Sequence, residues 1–279
     1  MARKLGLLAG GGALPGLIVS HCVQSGRPFF VVALEGQCDP GLTAPIAGQQ
    51  IPHVSLRIGA AGTAVKHLRR EGVEELIMAG TIRRPTLFQL RPDLWTLRFL
   101  LRTGGLGGGD DKILTALVGA LEGEGFSVVG PERVLPDLLA PSGVFGSVHP
   151  DEAAMKDISA GISAALDLGA RDIGQATIVR DGVVVALESS AGTDAMLAAC
   201  AHAPPEVSSG VLVKVAKPGQ ERRADLPTIG VETVRGAKEA GLRGIAVESG
   251  GAIVVGMKEV VAEADARGLF VMGVHVDGE

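Results

Sequence analysis

Short apolar runs alternate with amphipathic stretches along most of the chain. Lys4 to Ala9 and Phe29 to Leu34 read as buried strands, and Ala13 to Gln24 between them as a helix with Pro15 near its first turn. Val54 to Ile58 predicts a strand, Thr63 to Glu71 a helix stopped by Gly72, and Glu75 to Ala79 another strand. Arg91 to Leu101 and Ile113 to Leu121 read as helices on either side of the loop Thr103 to Asp110, and Phe126 to Val129 as a further strand. Strands alternating with helices at this spacing build βαβ units and a mostly parallel sheet.

Pro131, Pro136, Pro141, Gly143, Gly146 and Pro150 then crowd the sequence, which predicts a connection between two domains, 1–132 and 133–279. The second half opens with a helix from Glu152 to Leu168. Ala176 to Leu187 holds two β-branched runs around Asp181-Gly182, a strong hairpin signal. Thr193 to Cys200 predicts a helix and Val211 to Ala216 a strand. Helix 232–240, strand 244–248, helix 258–267 and strand 269–276 complete the pattern. Both domains are therefore expected to be α/β, the second with a mixed sheet.

Composition narrows the function classes. Hydrophobic residues make up 46 % of the 279 and charged ones 20 %, which excludes a disordered chain. The net charge of −5 argues against nucleic-acid binding through overall basicity, and with no Tyr and one Trp the usual base-stacking platforms are missing. Cys22, Cys38 and Cys200 form no CxxC pair and suit a reducing cytosol. Arg3-Lys4 could open a signal peptide, but the apolar run from Leu5 meets Gly10–Gly12 too early. The charge-free stretch Leu5 to Gly26 contains that triple glycine, Pro15, Ser20, His21 and Gln24, so strand, turn and helix account for it better than a membrane span. A cytoplasmic protein is expected.

Glycine is the outlier, at 41 residues, roughly twice the usual share of ~7 %. Gly10–Gly12 follow a strand and open a helix, where free backbone N–H groups receive a phosphate or ribose. GxGxxG fails in either register, at Pro15 or at Ala13, so a nucleotide contact and a plain tight turn both remain open. Thr103 to Lys112 has no Gly-Lys-Ser/Thr and is not a P-loop; its glycines predict a mobile lid, with Asp110 and Asp111 either capping the next helix or serving a metal or phosphate site. Glu248-Ser-Gly-Gly251 places a carboxylate and a turn at a strand's carboxyl end.

The polar constellation of the second half is the most informative. Lys214 interrupts an apolar strand, facing the same way as Leu212 and Ala216, and such a lysine is costly unless it meets an anion. Lys217, Gln220, Arg222, Arg223 and Asp225 follow in one loop. That loop suits an anionic substrate with a base or metal ligand, or else it is a solvated charged loop. Thr193 and Asp194 either cap a helix or join the site. The six histidines show no metal-ligand spacing, and no GxSxG elbow is present.

In order along the chain stand Ala9-Gly-Gly-Gly-x-Leu-Pro15, Ala79-Gly-Thr-Ile-x-Arg-Pro85, Gly109-Asp-Asp111, Glu188 with Gly192-Thr-Asp194, and Lys217-Pro-x-Gln-x-Arg-Arg-x-Asp-x-Pro227. Each piece alone is weak. The ordered set resembles the LpxI family of UDP-2,3-diacylglucosamine pyrophosphatases of lipid A biosynthesis. The resemblance implies cleavage of the pyrophosphate to UMP and 2,3-diacylglucosamine 1-phosphate (lipid X), with attack on the α-phosphorus and Mg²⁺ as the metal. It also implies a Rossmann-like N-terminal domain, a C-terminal α/β domain and a substrate held between them.

Pyrophosphate hydrolysis needs charge neutralisation, an activated water and exclusion of bulk solvent. Asp225 is then the leading candidate for general base or metal ligand, with Glu188, Asp194 and Glu248 as further metal candidates. Lys214, Lys217 and Arg222 would stabilise phosphate oxygens. Gly11, Gly12, Thr81, Arg83, Thr193, Asp194 and Gln220 are the substrate-binding candidates. The acyl chains need an apolar groove; Leu87 to Leu101, with Phe88, Leu94, Trp95, Leu97 and Phe99, offers one or else is ordinary helix core. An acylated substrate would bring the protein to the inner-membrane surface, and a homo-oligomer is compatible with the sequence. Two other classes compete: a nicotinamide oxidoreductase, opposed by the broken fingerprint at Pro15, and a non-catalytic UDP-sugar or lipid carrier, which would bind without turnover.

Overall fold

A computed structural model describes residues 2–46, 48–83, 90–105, 110–203 and 208–276, without the side chain of Asp110. The chain divides into two compact units, Met1–Pro136 with Arg223–Asp225, and Asp137–Arg222 with Leu226–Glu279.

The first unit carries β1 (Leu5–Ala9), β2 (Phe29–Leu34), β3 (His53–Leu56), β4 (Glu75–Ala79) and β5 (Ser127–Val128). They lie in the order β3-β2-β1-β4-β5, with every pairing parallel. This is a Rossmann-like order, and it reverses between β1 and β4. Helices α1 (Ala13–Ser25), α2 (Ala61–Arg70), α3 (Leu94–Thr103) and α4 (Asp110–Gly123) complete the unit. Alternation along the strands sends Leu5, Leu7 and Ala9 to one face, against Ile18, Val19 and Cys22 of α1. On the other face Phe30, Val32 and Leu76 meet Val65 and Leu68 of α2 and Val118 and Leu121 of α4. A parallel sheet covered on both sides buries nearly every position of its central strands, which is why β1 and β2 read as unbroken apolar runs.

The second unit is built on β6 (Gly143–Val144), β7 (Ala176–Arg180), β8 (Val183–Leu187), β9 (Val211–Lys214), β11 (Gly244–Glu248) and β13 (Phe270–Val274), in the order β6-β13-β11-β9-β7-β8. β9, β11 and β13 run parallel; β6 and the β7–β8 hairpin pair antiparallel. The sheet is mixed, as expected. At the hairpin turn Asp181 and Gly182 both take positive φ, 51° and 77°, the conformation that two-residue hairpins require. β10 (Thr228–Ile229) and β12 (Ile253–Val254) form a small parallel pair. Helices α5 (Glu152–Ala170), α6 (Thr193–Ala201), α7 (Val231–Glu239) and α8 (Met257–Arg267) pack on the sheet.

Two segments depart from the sequence pattern. The Pro/Gly-rich stretch expected to be a connection contributes β6, because Gly143 and Val144 pair with Gly273 and Met272 at the sheet edge. The strand expected through Ala216 ends at Lys214: the Ala216 N–H donates to the Glu248 carboxylate instead of continuing the ladder. Among the described residues no helix is long and apolar enough to cross a membrane.

Candidate functional site

The polar residues of the second unit gather at the carboxyl edge of its parallel strands. In register, Lys214 on β9 lies beside Val247 on β11 and Ala176 at the start of β7. Glu248 ends β11 and is buried. One of its oxygens accepts from Ala216 N–H at 2.8 Å, the other from the Arg222 guanidinium at 2.7 Å. Space for that carboxylate depends on Gly251, where a Cβ would fall 2.2 Å from Glu248 Cδ.

Glu188 leaves β8 into the same edge. Its carboxylate accepts from Gln175 N–H at 2.7 Å and from the Thr193 hydroxyl at 2.5 Å, and it is buried. A Cβ at Gly174 would stand 2.9 Å from Glu188 Cβ. Gln175 also accepts from Val215 N–H through its backbone carbonyl, and its side-chain oxygen is 3.5 Å from Gln220 Nε2. Gln220 in turn accepts from Lys217 N–H at 2.9 Å, which folds the loop back on itself. A polar chain thus runs from Thr193 through Glu188, Gln175 and Gln220 to Lys217. Gln175 is a member that the sequence candidates do not include, and Thr193, a substrate-binding candidate, spends its hydroxyl on Glu188.

The cations differ in how far they are committed. Lys214 is only 8 % exposed, and its ammonium donates to the Thr228 carbonyl at 3.0 Å. Lys217 pairs with Asp172 at 2.8 Å, with little of its side chain exposed. The Arg222 side chain, 56 % exposed, pairs with Glu248 and still presents much of its guanidinium to solvent. Asp172 is a further residue outside the sequence candidates; it has φ 53°, in the tight turn that follows α5, which brings its carboxylate to Lys217. Its signal in the sequence is positional, a polar loop entering a strand at this edge.

Asp194 is exposed in the first turn of α6, whose N-cap is Gly192 at φ 87°, so neither Thr193 nor Asp194 caps it. Asp225 is half-buried and belongs, with Arg223 and Ala224, to the first unit. There Arg223 pairs with Glu122 at 2.6 Å, and Ala224 packs on the α2–α4 side of the sheet.

The first-unit candidates Gly11, Gly12, Thr81 and Arg83 do come together, at the carboxyl ends of β1 and β4 where the strand order reverses. Gly11 and Thr81 exchange two backbone hydrogen bonds of 2.9 Å. A Cβ at Gly10 would lie 2.5 Å from the Thr81 oxygen, one at Gly80 2.5 Å from the Gly11 oxygen, and one at Gly11 2.8 Å from the Gln37 oxygen. These glycines therefore serve a close backbone crossing. The Gln37 side chain takes the Arg83 N–H at 2.8 Å and holds that segment to the end of β2. Gly12 differs: it is exposed, at φ 86°, ψ 178°, with open space where a Cβ would stand. It borders a cavity of about 310 Å³ beside the start of α1, lined also by Ser20, Asp39, Leu42 and Ile46.

Of the expected glycine lid, residues 106–109 lie outside the described residues, as do Leu87, Phe88 and Pro85 and the Asp110 side chain. Asp111 lies in the first turn of α4. The stretch offered as an acyl groove or a helix core divides: Trp95 and Phe99 stack at 5.8 Å, whereas Leu94 and Leu97 are exposed.

Glu188 and Glu248 use both carboxylate oxygens as hydrogen-bond acceptors, and among the described residues no group of three or more His, Cys, Asp or Glu is placed to hold a metal ion. This donor set fits magnesium only in its commoner mode, one or two carboxylates completed by water and phosphate oxygens.

The chain matches the family model of the LpxI N-terminal domain over residues 4–138 and that of the LpxI C-terminal domain over 141–272. It is 41 % identical, over 98 % of both chains, to the UDP-2,3-diacylglucosamine pyrophosphatase LpxI of Caulobacter vibrioides. Among solved structures it is similar to CobK precorrin-6A reductase (13 % identity, TM-score 0.32, 100 % of this chain and 89 % of that one). It is also similar to the Bordetella bronchiseptica enzyme WbmG in complex with NAD and UDP (12 % identity, TM-score 0.34, 99 % and 100 %). With both domain models matched in order across nearly its whole length, the chain belongs to the LpxI family.

Proposed function

We propose that this protein hydrolyses the pyrophosphate of UDP-2,3-diacylglucosamine to UMP and 2,3-diacylglucosamine 1-phosphate, in lipid A synthesis. The observation that carries the reading is the 41 % identity, end to end, with a relative named for that activity. The cationic edge of the second unit supports it in chemical terms.

Water attacks the α-phosphorus. The bond from that phosphorus to the bridging oxygen breaks, the water oxygen stays on UMP, and the bridging oxygen leaves on lipid X. Asp225 takes the water's proton. Arg222, the most exposed of the candidate cations, meets phosphate oxygens directly, and Lys217 joins it by exchanging its Asp172 partner for the substrate. Lys214 is committed to the Thr228 carbonyl and acts by holding positive charge at the edge. Glu188, Thr193 and Gln220 orient this loop, and Gly12 leaves its backbone open to a phosphate or ribose. Asp225 is also the residue that would hold magnesium, which when bound supplies neutralisation of the pyrophosphate charge.

The test is turnover of UDP-2,3-diacylglucosamine with and without Mg²⁺, followed by UMP release, in ¹⁸O water. Label in UMP supports the α-phosphorus; label in lipid X reverses it. Asp225→Ala is expected to abolish turnover while retaining substrate affinity, and near-normal turnover in that variant sinks the assignment.

A further inference from the structure

Helix α3 shows solvent a face that a buried helix would not. Leu94, Leu97 and Leu101 stand at i, i+3 and i+7, so they share one side of the helix, and they are 73 %, 44 % and 75 % exposed. The opposite side is firmly held. Thr96 is buried, with its hydroxyl donating to the Gly59 carbonyl at 2.8 Å, and Trp95 stacks on Phe99 and donates to Glu124 at 2.6 Å. The leucines are therefore presented by a fixed helix.

Beside that stripe, 40° to 80° around the wheel at about 100° per residue, stand the exposed Arg98 and Arg102, with the exposed Arg91 just before the helix. The helix itself carries no Asp or Glu, and Asp93 before it is occupied in capping. This cationic strip stands against the sign of the whole chain, whose net charge is −5.

We infer that α3 seats the protein on an anionic phospholipid surface, with Leu94, Leu97 and Leu101 among the acyl chains and Arg98 and Arg102 at the headgroup phosphates. An apolar stripe edged by arginines is the pattern of helices that lie in a membrane interface. A second copy of the same face would bring arginines against arginines. At about 15 Å the helix lies on the surface and does not span it. The inference rests on the proposed function, whose doubly acylated substrate resides in a bilayer.

The test is co-sedimentation with vesicles of phosphatidylcholine alone and of phosphatidylcholine containing phosphatidylglycerol, beside hydrolysis of UDP-2,3-diacylglucosamine in detergent micelles. The wild type is expected to bind the anionic vesicles at least tenfold more strongly than the neutral ones. L94E/L101E, with circular dichroism matching wild type, loses about tenfold or more of that binding, since two apolar anchors become charges. R98Q/R102Q loses about fivefold per arginine at low salt.

Wild-type protein that ignores anionic vesicles, or binding that L94E/L101E leaves unchanged, overturns the inference. So does a dimer in light scattering that L94E/L101E splits. Turnover without vesicle binding removes this inference and leaves the function standing. Vesicle binding that depends on the leucines, in a protein with no turnover, keeps the docking face and removes the function.

Discussion

Glu248 is the sharpest point at which to test the second-unit edge. Its carboxylate is buried and accepts the Ala216 N–H and the Arg222 guanidinium. Glu248→Ala leaves the Ala216 N–H buried with its side-chain acceptor removed, since Ala216 is only 3 % exposed; an unsatisfied buried donor costs about 1–3 kcal/mol. The Arg222 pair adds little more, about 0–1 kcal/mol, because that side chain is 56 % exposed and screened by solvent. The expected loss is about 1–4 kcal/mol. Glu248→Gln keeps an amide oxygen for Ala216 N–H and gives up the ion pair, so it should cost about 1 kcal/mol. Tryptophan fluorescence is the wrong probe, because Trp95 lies in the first unit. Native-state hydrogen exchange at β9 and β11 amides reads the second unit directly, and the opening free energy there should fall by those amounts. Alanine within about 0.5 kcal/mol of wild type refutes the reasoning, because surface-like substitutions lie in that range. Glutamine as damaging as alanine would show that the charge matters more than the acceptor.

Further outcomes follow from other contacts. Gly80→Ala puts a Cβ 2.5 Å from the Gly11 oxygen at φ 94°, so it should destabilise the first unit by more than about 2 kcal/mol, read by Trp95 fluorescence in urea; a loss near zero would refute the backbone crossing. Burial pushes the Asp93 carboxyl up, but hydrogen bonds from the Thr96 N–H and hydroxyl and from the Thr63 and Gly62 N–H groups outweigh it and hold it below the usual range. Its stabilisation is then present above the ordinary carboxylate range and lost as pH falls through the depressed value. Asp93→Ala should cost about 1 kcal/mol at neutral pH, and the difference should vanish in strong acid; a pH-independent difference would contradict this. Burial raises the Cys22 thiol, against a lowering by Arg27, so Cys22 should react with a thiol reagent only as fast as the first unit opens, and rapid labelling of folded protein would contradict its place in the core.

The alternation of strands and helices was legible because the central strands of each sheet are covered on both faces, so runs such as Phe29–Leu34 are apolar throughout and stand out from helical periodicity. The hairpin was legible because Asp181-Gly182 supplies the positive φ its turn demands. The short pairings were not. Gly143-Val144 carries no strand signal of its own and becomes β6 only because Gly273 and Met272 lie open beside it. The cations of the loop after β9 could be seen as a group, but their commitments could not. A sequence does not say that Lys214 meets a carbonyl of β10's first residue, or that Lys217 reaches Asp172, a residue 45 positions away.

The glycine excess separates the two sheet edges chemically. In the first unit Gly10, Gly11 and Gly80 are used where main chain crosses main chain, and their neighbour Gly12 faces open space. In the second unit Gly251 is used where the Glu248 carboxylate folds back beside the chain, and Gly174 where the main chain and Cβ of Glu188 pass close. A side chain at Gly251 would displace the group that takes the Ala216 N–H and the Arg222 guanidinium, so this glycine acts on the cation through the glutamate. Gly169 does similar service under Lys217, whose Cα would lie 3.1 Å from an added Cβ. The first edge leaves its backbone open at Gly12, and at the second edge Gly251 keeps a charged side chain in place. A phosphate ligand at either edge would owe little to aromatic stacking, which is consistent with a chain that has one tryptophan and no tyrosine.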